Sequence, residues 1–300
     1  RVECCPRTSF RYTIGTWLPI CYEMGVEVSA ESDQAGIESL REAVSNAREA
    51  TGKELARVVR RCRWLVDAHS SLTGEVLQLL KEETVDCTTG EAALVEGCAA
   101  YLQQRARQGG DYQSTWSDDV SQIFLQVAEQ FGPSSAILAW LAESVAFEPA
   151  RKLFIKLMHD HPPRSDAAVV AVLSPLFQRQ QAAAAALFPP ALELLQHPSL
   201  AAAILDLANY LFREGWVETH PATARMNELR LLLGELVQSL QQITEGRGEE
   251  ASATEISQKV ANSVALTVSL CDALALLKDK ESIGKLRMAL EMPHRNLPMD

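Results

Sequence analysis

Residues 132–178 read GPSSAILAWLAESVAFEPARKLFIKLMHDHPPRSDAAVVAVLSPLFQ, and the punctuation of this stretch decides the fold class. Apolar side chains recur at three- and four-residue steps, interrupted at Gly132-Pro133, Pro149 and Pro162-Pro163. Steps of three and four place side chains on one face of an α-helix, whereas a half-buried strand alternates them at two. A proline in a helix's first turn costs nothing in hydrogen bonding, because the N–H it lacks had no intrahelical partner. The stretch therefore reads as helices over Ser134–Ala146, Pro149–His161 and Ser165–Gln178.

Outward from it the pattern repeats. Asp118–Phe131 pairs with Ser134–Ala146, Pro149–His161 with Ser165–Gln178, and Ala182–Gln196 with Ser199–Glu214 across His197-Pro198. The second helices begin near Ser134, Ser165 and Ser199, spaced by 31 and 34 residues, a period that belongs to stacked helix pairs. Each carries small and aliphatic residues, such as Ala136, Leu138, Ala139 and Leu141, then Ala168, Val169, Val172 and Leu173, then Leu200, Ala203, Ile204, Leu207, Ala208 and Leu211. Such faces let neighbouring helices approach closely. A fourth, longer pair spans Ala222–Glu245 and Ser252–Leu277. There Leu229, Leu232, Leu233, Leu236, Val237, Leu240 and Ile243 are expected to face Val260, Val264, Leu266, Leu270, Ala273, Leu274 and Leu277.

Toward the N-terminus the spacing predicts helices over Gln34–Ala50, capped by Ser32-Asp33 and ended at Gly52, then Glu54–His69, Gly74–Glu83 and Glu91–Arg107. Asp111, Ser114 and Ser117 supply turn chemistry between Gly109 and Ser117, the best internal boundary. The expected organisation is an N-terminal segment over 1–33, a helical region over 34–108 and a helical-repeat region over 117–300. Residues 1–23 lack helical periodicity, and because Arg1 is not an initiator the chain is expected to begin inside a longer or processed product. The fold class is all-α, an α-solenoid of stacked antiparallel helix pairs.

The run from Ala273 through Asp279, Ile283, Leu286, Leu290 and Pro293 to Leu297 resembles a HEAT-type repeat of the short bacterial, armadillo-like kind. In that pattern Asp279 stands at the tight turn, where its carboxylate caps backbone N–H groups, and Ile283, Leu286 and Leu290 form the inward stripe of the helix that follows. The resemblance covers about 25 residues, as counted along the helical period, and departs from the pattern at Pro298. The last repeat is therefore expected to open without being completed, the pattern of a chain that continues or of a C-terminal helix used as a cap. Proteins similar to this family bind other proteins through the concave face of the stack, and some act as bilin lyases or accompany catalytic domains.

Composition narrows the classes further. The 300 residues carry a net charge of −11 at a pI near 5.1, without a long Lys/Arg stripe, so neither nucleic acid nor an anionic membrane surface is expected as partner. No uninterrupted run of 18 apolar residues occurs; the richest window, Ala182–Leu195, is broken by Pro189-Pro190, and no membrane span is expected. Seven cysteines, at 4, 5, 21, 62, 87, 98 and 271, are an odd count in a chain large enough to need no staples, which fits a reducing, cytoplasmic setting.

Chemical motifs are sparse. No phosphate-cradling, dinucleotide-binding or nucleophile-elbow pattern occurs, and no CxxC. His159-x-His161 puts two rings on different helix faces, the wrong spacing for a shared metal; with His197 these imidazoles are expected to complement helix C-termini and cap carbonyls. Cys62, Cys98 and Cys271 lie on apolar helical stripes as small hydrophobes. No catalytic residue, metal or cofactor is expected. The positive feature is a basic knot of Arg57, Arg60, Arg61 and Arg63 beside Trp64, within reach of Asp67 and His69. Guanidinium forks bind oxyanions bidentately; the alternative is a solvated face neutralised by Glu42 or Glu49 of the preceding helix. The function expected is a non-catalytic protein-interaction scaffold or regulatory module with a protein or peptide partner; the other class is an accessory or lyase-like enzyme domain of a larger protein.

Overall fold

A computed structural model describes residues 30–108, 118–244 and 253–290. Among them the chain is all-helical, with no strand. The α-helices are α1 (Ala30–Asn46), α2 (Gly52–Ala68), α3 (Thr73–Glu83), α4 (Thr89–Gln108), α5 (Asp118–Phe131), α6 (Ser135–Glu143), α7 (Glu148–Asp160), α8 (Asp166–Gln178), α9 (Gln181–Ala184), α10 (Pro198–Arg213), α11 (Met226–Thr244), α12 (Ala253–Leu276) and α13 (Ile283–Leu290). The sequence-based boundaries within residues 1–29, 109–117, 245–252 and 291–300 lie outside the described residues.

Local chemistry sets most helix starts. Ser134 and Ser165 are N-caps whose hydroxyls accept from Ile137 N–H at 3.2 Å and Ala168 N–H at 3.3 Å. Thr88 and Glu91 exchange caps at the start of α4: the Thr88 N–H donates to Glu91 Oε2 at 2.6 Å, and the Glu91 N–H reaches Thr88 Oγ1 at 3.5 Å. The third start also falls within one residue of expectation, with a different cap. Ser199 lies inside α10, with His197 as N-cap and Pro198 in the first turn, because proline takes the position whose N–H has no partner.

Other expectations are corrected. Ala182–Gln196 is not one helix: α9 gives way to a 3-10 turn at Ala185–Leu187, and a second 3-10 segment covers Pro190–Gln196. Pro189-Pro190 remove two consecutive donors where an α-helix would need them. Helix α1 starts at Ala30 and stops at Asn46, so Ser32-Asp33 lie within it. Gly52, at φ +53°, opens α2 rather than closing α1. A 3-10 turn at Thr223–Arg225 precedes α11. Val264 is 37 % exposed and Ile283 54 %, so neither joins the inward stripe assigned to it. The window Ser257–Leu276 of α12 is long and apolar enough to cross a membrane by length and composition, contrary to expectation. Its Ser, Thr and Asn residues break any uninterrupted apolar run without lowering the mean hydropathy below that of a span.

Neighbouring helices follow a regular order. Helix α1 packs on α2 and α3, α2 on α4, α3 on α4 and α5, α4 on α5 and α6, α5 on α7, and α6 on α7 and α8. The Pro190–Gln196 segment packs on α7 and α10, and the series continues through α8 with α10, α10 with α12, and α11 with α12 and α13. One apolar core gathers residues from Leu40 in α1 to Leu211 in α10; a second joins α10, α11 and α12. Helix α10 serves both. Leu200, Ile204, Leu207 and Leu211 enter the first core, while Ala201 and Leu205, one residue round the helix, enter the second. Gly36 of α1 allows the closest approach near the site: a Cβ there would lie 1.9 Å from Nε2 of buried His69.

Candidate functional site

Helix α2 divides sharply into two faces. Cys62, Leu65 and Val66 are buried, with Leu55, Val58 and Val59 half-buried beside them. The opposite face presents Lys53, Arg57, Arg60, Arg61 and Trp64, which the 100° step of a helix gathers on one solvent arc. Trp64 is 62 % exposed.

The acidic neighbours expected to neutralise this face do not. Among the described residues Arg57, Arg60, Arg61 and Arg63 form no ion pair, with Glu42, Glu49 or any other carboxylate. Other arginines are engaged: Arg41 with Glu82 and Glu83, Arg48 with Glu91 at 3.2 Å, and Arg105 with Asp67 at 3.1 Å. Asp67 is thus turned toward α4, and buried His69 toward α1. Arg63 also stands apart from the other three, on the α4 side. Burial and Asp67 raise the Tyr101 hydroxyl of α4, while the charges of Arg105 and Arg63 oppose them.

Beneath the basic arc, Cys62 faces Cys98 of α4. A hydrogen bond between the two thiols lowers Cys62 and raises Cys98, and burial pushes Cys98 further up. Cys87 is buried with Ala92 and Val127, and Cys271 is half-buried; all four are free thiols. Cys4, Cys5 and Cys21 lie outside the described residues.

The histidines stand at helix ends as expected, His159 in the last turn of α7, His161 as its C-cap and His197 after the Pro190–Gln196 segment, but the ring of His159 meets side chains rather than carbonyls. His159 Nδ1 lies 3.1 Å from Asp160 Oδ1, its Nε2 lies 2.6 Å from Gln196 Nε2, and its ring packs edge-on against His197 at 5.3 Å. Burial, then the nearby His159, lower His197. His161 ends α7 through its backbone N–H, which donates to Leu157 O at 2.8 Å, and lines a groove of about 620 Å³ with Phe131, Asp160, Pro163 and Arg164. Among the described residues no three His, Cys, Asp or Glu side chains are placed to hold a metal ion.

Two buried polar groups, Glu96 and Asn209, escaped the sequence reading, and Asp279, read as a local cap, has a distant partner as well. Glu96 of α4 is 1 % exposed and accepts from the Ser134 hydroxyl and backbone at the head of α6, while its Oε1 has no partner among the described residues. Asn209 of α10 holds Ser269 O, Asp272 and His220. Asp279 holds Arg230. Glu96 and Asn209 each interrupt an apolar stripe at helical spacing, which is the signal that finds them.

Comparison with protein families, curated proteins and solved structures finds no match to this chain.

Proposed function

We propose that this protein is a non-catalytic interaction scaffold or regulatory module: an α-solenoid of HEAT-like helix pairs that binds a protein or peptide partner in the cytoplasm. The observation that carries the reading is the order of helix neighbours. From α1 to α8 each helix packs on the helix two places further along the chain, and α8, α10 and α12 extend the series. That order belongs to two parallel layers of stacked pairs, an architecture whose use is the extended surface it exposes.

The contact face is the arc of Arg57, Arg60, Arg61 and Trp64, with Arg63 at its margin. Guanidinium groups that pair with no carboxylate among the described residues, around an exposed tryptophan, have the composition of binding hot spots, and they stand in a chain whose net charge is −11. The partner patch is acidic, since local complementarity governs encounter and register.

The test is capture of partners from a lysate by the full chain, compared with Arg60→Glu/Arg61→Glu. Salt-sensitive partners lost from the variant, with unchanged circular dichroism, support the proposal. Identical capture by both proteins, or turnover of a substrate by the chain alone, overturns it.

A further inference from the structure

We infer that Arg57, Arg60 and Arg61 cradle one phosphate monoester of a phosphorylated peptide, and that Trp64 covers an apolar side chain of the same peptide. The inference rests on the scaffold reading above and specifies the partner's chemistry.

The three arginines occupy positions i, i+3 and i+4. Their Cβ atoms are therefore neighbours, about 5–6 Å apart on the helix surface. Guanidinium groups on long flexible stems can converge from these positions on a single point above α2. No intramolecular carboxylate among the described residues competes for them. A phosphate monoester brings close to two negative charges and three acceptor oxygens to that point, more than one carboxylate can offer. Bidentate forks satisfy those oxygens in a way that a lysine cluster does not.

Trp64 extends the same patch. It stands three residues from Arg61, four from Arg60 and seven from Arg57. At 1.5 Å per residue, the centre of the three arginines and Trp64 are about 7 Å apart along the helix axis. An extended peptide covers that distance in about two residues, and side chains two apart share a face. The expected ligand thus has an apolar residue two positions from its phosphorylated residue.

The small footprint favours a peptide over a lipid surface or a nucleic acid. The basic arc lies on one helix between Glu54 and Asp67, on a chain of net charge −11, so a broad anionic surface would meet repulsion beyond the arc.

The experiment uses the full chain and two fluorescent peptide pools. Each pool fixes a central residue and a leucine two positions away, with degenerate residues elsewhere; the central residue is phosphoserine in one pool and serine in the other. Binding is read by anisotropy at physiological salt. The expected result is at least tenfold tighter binding of the phosphoserine pool. Arg57→Glu/Arg60→Glu/Arg61→Glu loses that preference with an unchanged circular dichroism spectrum. Trp64→Ala weakens binding several-fold, and this loss disappears when the fixed leucine is replaced by alanine.

Equal binding of the two pools overturns the inference, as does a phosphoserine preference that survives in the triple variant. Arginine-dependent sedimentation with phosphatidylserine vesicles, without a phosphoserine preference, assigns the arc to membranes and also overturns it. If Arg60→Glu/Arg61→Glu still loses its lysate partners while both pools bind alike, the scaffold reading stands and only the phosphate inference falls.

Discussion

Arg230 of α11 and Asp279, in the turn before α13, form a two-pronged ion pair: Nε donates to Oδ2 at 2.7 Å and Nη2 to Oδ1 at 2.5 Å. The same carboxylate accepts from the Glu281 N–H at 3.3 Å and from the Ser282 hydroxyl. Lys285 Nζ reaches Arg230 O at 2.7 Å. The turn thus caps itself and fastens α13 to α11 through one group, and the bidentate geometry fixes orientation as well as distance.

Asp279→Asn should lower the melting temperature at pH 7 by a few degrees. The Arg230 guanidinium beside it holds the Asp279 carboxyl well below its ordinary value of 3.8, so the pair's stabilisation is complete above that value and is lost as pH falls toward the folded one. The variant should therefore show a shallower loss of stability below pH 4 than the parent. Thermal melts from pH 2 to 7 on both proteins check this.

Glu96→Gln should stabilise the protein at alkaline pH. Burial pushes the Glu96 carboxyl from 4.5 up to about 7. A raised carboxyl favours the fold when protonated, so the parent loses stability as pH climbs from 4.5 to 7, by up to about 3 kcal/mol at 1.36 kcal/mol per unit. Glutamine keeps the hydrogen-bonding shape without the charge. Denaturant midpoints should rise for the variant at pH 8 and match the parent's at pH 4.

The opposite slope belongs to His220. Its Nδ1 accepts from the Ala222 N–H at 3.2 Å, so its Nε2–H donates to Asn209 Oδ1 at 2.9 Å, which fixes a neutral ring. Burial lowers it from 6.5 to about 4. The unfolded chain takes up the proton first, and stability drops as pH falls from 6.5 to 4, by up to about 3 kcal/mol. His220→Gln should be less stable at pH 7.5 and lack this share of the slope in melts between pH 4 and 7.

Gly36→Ala should cost about 1–3 kcal/mol, the usual range for overpacking a tight contact. The added methyl would overlap the His69 ring, with three ring atoms within 2.5 Å. The double variant Gly36→Ala/His69→Ala should recover part of the loss. Chemical denaturation of the four proteins of this cycle measures that coupling.

Leu207→Asp should cost about 4 kcal/mol or more, because Leu207 is 0 % exposed and the variant buries an unpaired charge. Val268→Asp is the control: Val268 is 64 % exposed on α12, and the change should stay within about 0.5 kcal/mol. Equal melting temperatures for Leu207→Asp and the parent would contradict the helix register.

Much of the secondary structure was legible from spacing alone. Helix α5 spans Asp118–Phe131 as read, the helices expected to begin near Ser134 and Ser165 start one residue later, and Leu207 is buried. Each of these features is decided within a turn or two of chain, by apolar spacing and by a side-chain oxygen three residues from the N–H it receives. The basic residues of the candidate site were legible for the same reason, since Arg57, Arg60, Arg61 and Trp64 are neighbours on one helix.

What only the tertiary structure decided concerns partners distant in sequence. Glu42 lies on α1 and Glu49 in the turn after it, close to the arginines in sequence, yet among the described residues the α2 arc forms no ion pair, while Arg41 and Arg48 bind Glu82, Glu83 and Glu91. Asp279 reads as a local cap and also anchors Arg230, 49 residues away. Ile283 matches the inward stripe of its resemblance but faces solvent, because α13 is oriented by that ion pair and by Lys285. Periodicity states which face of a helix is apolar; which neighbour meets that face, and which charge finds a counter-ion, depends on the packing of α1–α13 against one another.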